Sequence, residues 1–121
     1  AANSVLRLKS EAFSQRIVKC YKYLQKEKGE HVMSKQVLRS GTSIGANVTE
    51  GIYAQSRNDF VSKLSISLKE AQETKLLAKI VDSTDYLNEP EFASIHSDNE
   101  ELIKMLMATL KTIKNKDKDK E

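Results

Sequence analysis

Glu50, Glu70 and Glu73 are the residues whose type and spacing first invite a chemical reading. Carboxylates on facing helices can bridge a pair of metal ions, but bundle sites of that kind also take Glu-x-x-His pairs from their helices. The two histidines, His31 and His96, fall in or near expected connections. Glu50 and Glu70 are instead expected to accept hydrogen bonds from Arg39, Asn47 or Ser43, because a carboxylate partly removed from water is tolerated when paired. Nucleophilic catalysis needs a nucleophile, a base and an orienting group in one pocket. Cys20 lies on the core stripe of the first helix, where a thiol acts as a small hydrophobe, and no histidine has a route to it. The serines and threonines lack the glycine context of a nucleophile elbow. Gly41, Gly45 and Gly51 do not match a phosphate-cradling loop. No catalytic, cofactor or metal set is expected, and the chain does not read as an enzyme.

The first helix carries a different chemistry. Lys9, Arg16, Lys19, Lys22 and Lys26 cover one side of it, opposite Phe13 and Ile17, with Tyr23 also outside the core stripe. Five cations on one face can track a phosphate backbone, with affinity that falls steeply as salt rises. Aromatic residues are too sparse for base stacking, so binding would be sequence-tolerant. An ordinary solvated face carries the same pattern, and both readings stand. Net charge is only +3, but it is unevenly spread: residues 1–60 hold ten Lys or Arg against five acids. Asp82 to Glu101 holds seven acids and no Lys or Arg, so a positive and a negative region are expected.

These residues need helices to position them, and the pattern supplies four, at about 4–28, 33–53, 57–87 and 91–114, with 115–121 a disordered tail. Gly29 ends the first helix, Ser56 with Asp59 caps the third, and Pro90 opens the fourth. Short connections make an up-down-up-down antiparallel four-helix bundle, all-α, in a single domain. On the second helix, wound at about 100° per residue, Gln36, Arg39, Ser43, Asn47 and Glu50 form a polar stripe. Gly41 and Gly45 lie on its apolar side, where they let a neighbouring helix come close. The third helix has two apolar stripes. Ile66, Leu77, Ile80 and Val81 form the second, which is read as an oligomer interface in preference to a helix central in its bundle.

The single cysteine, Cys20, rules out an intrachain disulfide. The longest apolar run, Met105 to Ala108, is far short of the roughly 20 residues that span a bilayer. Ala1 to Ser10 lack the apolar core of a secretory signal, and the missing initiator Met points to a processed or trimmed start. A cytoplasmic protein without a membrane partner is expected.

Gln36, Arg39, Ser43-Ile44, Asn47 and Glu50-Gly51, followed by Asp59-Phe60 and Ser67-Leu68-x-Glu70, carry a resemblance over about residues 5–113. The chain resembles the small bacterial proteins encoded inside intervening sequences of large-subunit ribosomal RNA genes. A related branch includes the accessory variability determinant of diversity-generating retroelements. The resemblance implies a four-helix bundle assembling as a homopentameric barrel. Its implied partners are RNA or another nucleic acid and, in the retroelement branch, a reverse transcriptase. Three positions depart from the family pattern. Leu38 stands where many relatives carry a second Arg, Gly45 where Pro is frequent, and Ile66 where a small residue is usual. The leading expectation is a non-enzymatic, oligomeric bundle that binds RNA through the basic face. The alternative is an accessory factor that engages a protein through its oligomeric surface.

Overall fold

The computed structural model describes residues 2–119, which form four helices and no strand: α1 (Ala2–Lys26), α2 (Met33–Ile52), α3 (Arg57–Ser83) and α4 (Glu89–Asp119). Each helix packs on its neighbour in sequence and α4 closes on α1, while the diagonal pairs stay apart. The resulting core runs through Phe13, Ile17 and Leu24 of α1, Ile44 and Val48 of α2, Leu64 and Val81 of α3, and Leu102 and Leu106 of α4.

The connections follow from local chemistry. Gly29 takes φ +63°, and the Glu30 N–H returns to the Leu24 carbonyl at 2.8 Å. The buried Glu30 carboxylate then accepts the N–H groups of Val32, Met33 and Ser34 at 3.1, 2.9 and 2.6 Å, which caps α2. Ser56 accepts the Asp59 N–H at 3.0 Å and caps α3, as its spacing anticipated. Asn88 accepts the Glu91 N–H at 2.9 Å, and its amide donates back to the Glu91 carboxylate, a reciprocal cap that starts α4 at Glu89 rather than 91.

α3 ends at Ser83, not near 87. Asp85 adopts φ 65°, its N–H reaches the Asp82 carbonyl at 3.1 Å, and the Tyr86 N–H reaches Val81 at 3.2 Å. This is a Schellman closure with Asp in the left-handed position usually given to Gly. At the other end of the molecule, α4 continues through 115–119, where a disordered tail was expected, and Arg57 of α3 reaches Asp117 at 2.9 Å. Lys120 and Glu121, the rest of that tail, lie outside the described residues.

Gly41 and Gly45 do bring two helices together. A Cβ on Gly41 would fall 2.8 Å from both Cγ1 and Cγ2 of Ile17, and one on Gly45 would fall 3.1 Å from Ser14 Oγ. α2 and α3 meet instead through buried hydroxyls. Ser67 Oγ donates to the Ile44 carbonyl at 2.8 Å, and Thr74 and Ser40 hydroxyls lie 2.9 Å apart. Asn99, 1 % exposed, donates to the Ala71 carbonyl at 3.0 Å and ties α4 to α3.

Candidate functional site

The basic face of α1 divides into two halves. Lys9 pairs with Glu101 and Arg16 with Asp98, both acids on α4. Arg16 Nη2 also donates to Ser94 Oγ at 2.6 Å. Two acids of the acid-rich segment thus lie against the basic helix, while its Glu100 turns to Lys75 of α3 at 2.9 Å. Lys19, Lys22 and Lys26 remain exposed, and none has an ion-pair partner among the described residues. Of the five cations read as one basic face, three are exposed with no ion-pair partner among the described residues.

The polar stripe of α2 lies on the outside of the bundle, with Gln36, Arg39 and Glu50 exposed and Ser43 and Asn47 half-buried. Arg39 Nη2 donates to Glu73 at 2.8 Å, and its Nη1 lies 3.6 Å from Glu70. The bond to Glu73 and the charge of Glu70 raise the guanidinium pKa further, so its charge is permanent. Glu50 faces Lys63 at 3.6 Å instead of an α2 donor. Asn47 donates to the Ser43 carbonyl at 2.8 Å, and Ser43 Oγ to the Arg39 carbonyl at 2.6 Å. Of the hydrogen bonds expected at Glu50 and Glu70, none forms: Glu70 meets Arg39 as an ion pair at 3.6 Å, and the hydrogen bond of Arg39 goes to Glu73. Ser43 and Asn47 bond back to their own helix.

The second apolar stripe of α3 splits. Leu77 and Val81 are buried in the bundle core, at 6 % and 1 % exposure, so they are not available as interface residues. Ile66 and Ile80, each 39 % exposed, stay outside, and Leu76 joins them at 59 %. The core boundary runs along the stripe because Leu77 and Val81 are rotated toward the interior by a few tens of degrees relative to Ile66 and Ile80.

Cys20 lines a cleft of about 460 Å³ with Arg16, Lys19, Tyr23, Glu91 and Ile95. Burial, reinforced by the charge of Glu91 and opposed by Arg16, pushes its thiol up to about 11. A thiol with that pKa is almost wholly protonated at neutral pH and a poor nucleophile. His31 sits in the α1–α2 connection, its Nδ1 2.8 Å from Gln25 Oε1. His96 lies inside α4, not in a connection, and stacks on Phe92 at 5.4 Å. Among the described residues, no three His, Cys, Asp or Glu side chains gather as a metal site requires. None of the described helices is long and apolar enough to cross a membrane.

Residues that position this surface were not singled out from the sequence. Asp98 and Glu101 belong to the acidic run, but its register against α1 is a tertiary fact. Glu30 gave no signal, since Glu is not a customary N-cap residue. The signal for Leu76 was available: it stands four residues before Ile80, on the same face of the helix.

The family model of the 23S rRNA-intervening sequence protein matches residues 3–108. Among solved structures, the chain is similar to a protein of unknown function from the S23 ribosomal protein family of Bacteroides thetaiotaomicron VPI-5482. The two are 47 % identical and superpose with a TM-score of 0.90, over 92 % of this chain and 99 % of that one. No curated protein matches the chain.

Proposed function

Because the chain belongs to the 23S rRNA-intervening sequence protein family, we propose that it is a non-enzymatic, self-assembling helical bundle that binds RNA without sequence preference. The observation that carries this reading is the trio Lys19, Lys22 and Lys26, exposed along the second half of α1 with no acid paired to any of them among the described residues. Assembly, into the pentamer that the resemblance implies, multiplies these contacts. Bonds too weak in one subunit then add across the ring. The test is titration of single-stranded RNA at two salt concentrations against wild type and Lys19→Glu/Lys26→Glu. Loss of two phosphate contacts should weaken binding and flatten the salt slope by about 1.4, at about 0.7 per contact on single strands. Equal binding by the variant would overturn the RNA reading.

A second reading is favoured by the exposed Ile66, Leu76 and Ile80 on α3. There the protein is an accessory factor that engages another protein, such as a reverse transcriptase, through the surface of its assembly. Light scattering at micromolar concentration should give several times the 13.7 kDa of one chain. Ile66→Glu/Ile80→Glu should release smaller species, since each buries a charge in the interface. A monomeric wild type would remove the assembly from both readings.

A further inference from the structure

We propose that Asp98 and Glu101 of α4 act as built-in competitors of RNA phosphate, occupying half of the basic face and thereby setting the affinity and salt dependence of the other half. The proposal rests on the RNA reading above and concerns the same face.

Lys9 and Arg16 form the flank of this basic surface nearest α4, and each meets a carboxylate there, as Lys19, Lys22 and Lys26 do not among the described residues. A carboxylate and a phosphate oxygen present the same chemistry to a guanidinium or ammonium group, an anionic acceptor. Arg16 is held most fully, by Asp98 and by the Ser94 hydroxyl at 2.6 Å and carbonyl at 3.5 Å. Asp98 and Glu101 stand three residues apart on α4, so they lie one above the other on one helix face. Lys9 and Arg16 stand seven apart on α1, likewise on one face. Running antiparallel to α1, α4 thus offers Glu101 to Lys9 and Asp98 to Arg16. All four side chains are more than a third exposed, at 45 % and 53 % for Lys9 and Glu101 and 38 % and 46 % for Arg16 and Asp98. Surface pairs of this kind contribute little to folding. A polyanion can therefore reach them, and removing the acids should leave the bundle intact.

The chemistry of the competition is exchange of one anion for another, with counterions released from the RNA. In wild type, a phosphate that approaches Lys9 or Arg16 must displace a carboxylate already tethered to the same molecule. Without the carboxylate, each cation adds a contact. At a slope of 0.7 per contact, a contact gains roughly eightfold between 1 M and 50 mM salt.

The experiment measures binding of single-stranded RNA by wild type, Asp98→Asn/Glu101→Gln, and a control, Asp82→Asn/Asp119→Asn. The control removes the same charge from acids that pair with no residue of α1 among the described residues. Asp98→Asn/Glu101→Gln should bind at least fivefold more tightly than the control at 50 mM salt, with a slope steeper by up to about 1.4. Adding Lys9→Gln/Arg16→Gln to it should abolish that gain, while the same pair of changes in wild type should alter binding less than twofold. An affinity and slope equal to those of the control would overturn the proposal and leave RNA binding by Lys19, Lys22 and Lys26 standing. No binding by any of the proteins at low salt would overturn the proposal and the RNA reading together. Matching circular dichroism of all the proteins establishes that the comparison is between folded bundles.

Discussion

Gly41→Ala tests whether the close approach of α1 and α2 is built on the missing side chain. In an unconstrained helix this change stabilises by roughly 1 kcal/mol, because alanine is the better helix former. Here the new methyl would lie 2.8 Å from Cγ1 and Cγ2 of Ile17 and 3.2 Å from its Cδ1. Ile17 is fully buried, and a β-branched side chain has one strongly preferred rotamer in a helix, so it cannot swing aside. Overpacking of a filled core costs typically 1–3 kcal/mol, and two carbons in simultaneous collision place this case in the upper part of that range. The net expectation is destabilisation by about 1–2 kcal/mol. In urea, with a slope of about 2 kcal/mol per molar, this lowers the unfolding midpoint by about 0.5–1 M, measured by circular dichroism at one fixed protein concentration. The cycle is completed with Ile17→Ala, which alone should cost about 2–5 kcal/mol. It removes all three colliding carbons while the helix-propensity gain of alanine stays, so the double variant should be more stable than the sum of the single effects by about 2–3 kcal/mol, the full cost of the clash. A Gly41→Ala protein as stable as wild type, or strictly additive effects, would refute the packing argument.

The Glu30 cap makes stability depend on pH. Burial raises its pKa, but bonds from the Met33, Ser34 and Val32 N–H groups and the Ser34 side chain outweigh this and leave it lowered. A lowered carboxyl pKa contributes stability that is complete above the unfolded value of about 4.3 and lost as pH falls through the folded value. Glu30→Ala should therefore cost about 1–2 kcal/mol at neutral pH, with the gap to wild type closing in acid; a gap unchanged at low pH would contradict the cap. Asp85→Gly should raise stability by up to about 1 kcal/mol, because glycine enters the left-handed region without strain; a lower melting temperature would show that the Asp side chain has another role. Cys20 should react slowly with a thiol reagent at neutral pH and faster by about tenfold per pH unit up to its pKa near 11; rapid labelling at pH 7 would refute the buried, protonated thiol.

The sequence makes the helices legible because each has to bury one face, and burial leaves a periodic trace. Gly29, Ser56 and the Gly41/Gly45 pair could be read for the same reason: each meets a backbone demand that few residue types satisfy. The edge of a stripe is not so marked. Leu77 and Ile80 are equally apolar and differ by less than a fifth of a turn, and only the position of the neighbouring helices decides which is covered. Asn99 was hidden more deeply, since a polar residue beside Ser97 and Asp98 looks like an interruption until the Ala71 carbonyl is seen to receive its amide. The partition of the basic face was likewise beyond reach. It depends on pairings across more than 80 residues of chain, which leave no local signature.

The four seams of the bundle are not equal. α2 and α3 are joined by buried hydroxyls, α1 and α2 by glycine against isoleucine, and α3 and α4 by a buried amide. α1 and α4 meet more sparsely, and much of what joins them is ion pairs in reach of water. The molecule thus resembles a bound book, with α2 and α3 as its spine and α1 and α4 as the covers. Thermal motion will part the covers first. The opening bares the inner side of α4 while the buried Asn99 amide keeps the helix on α3.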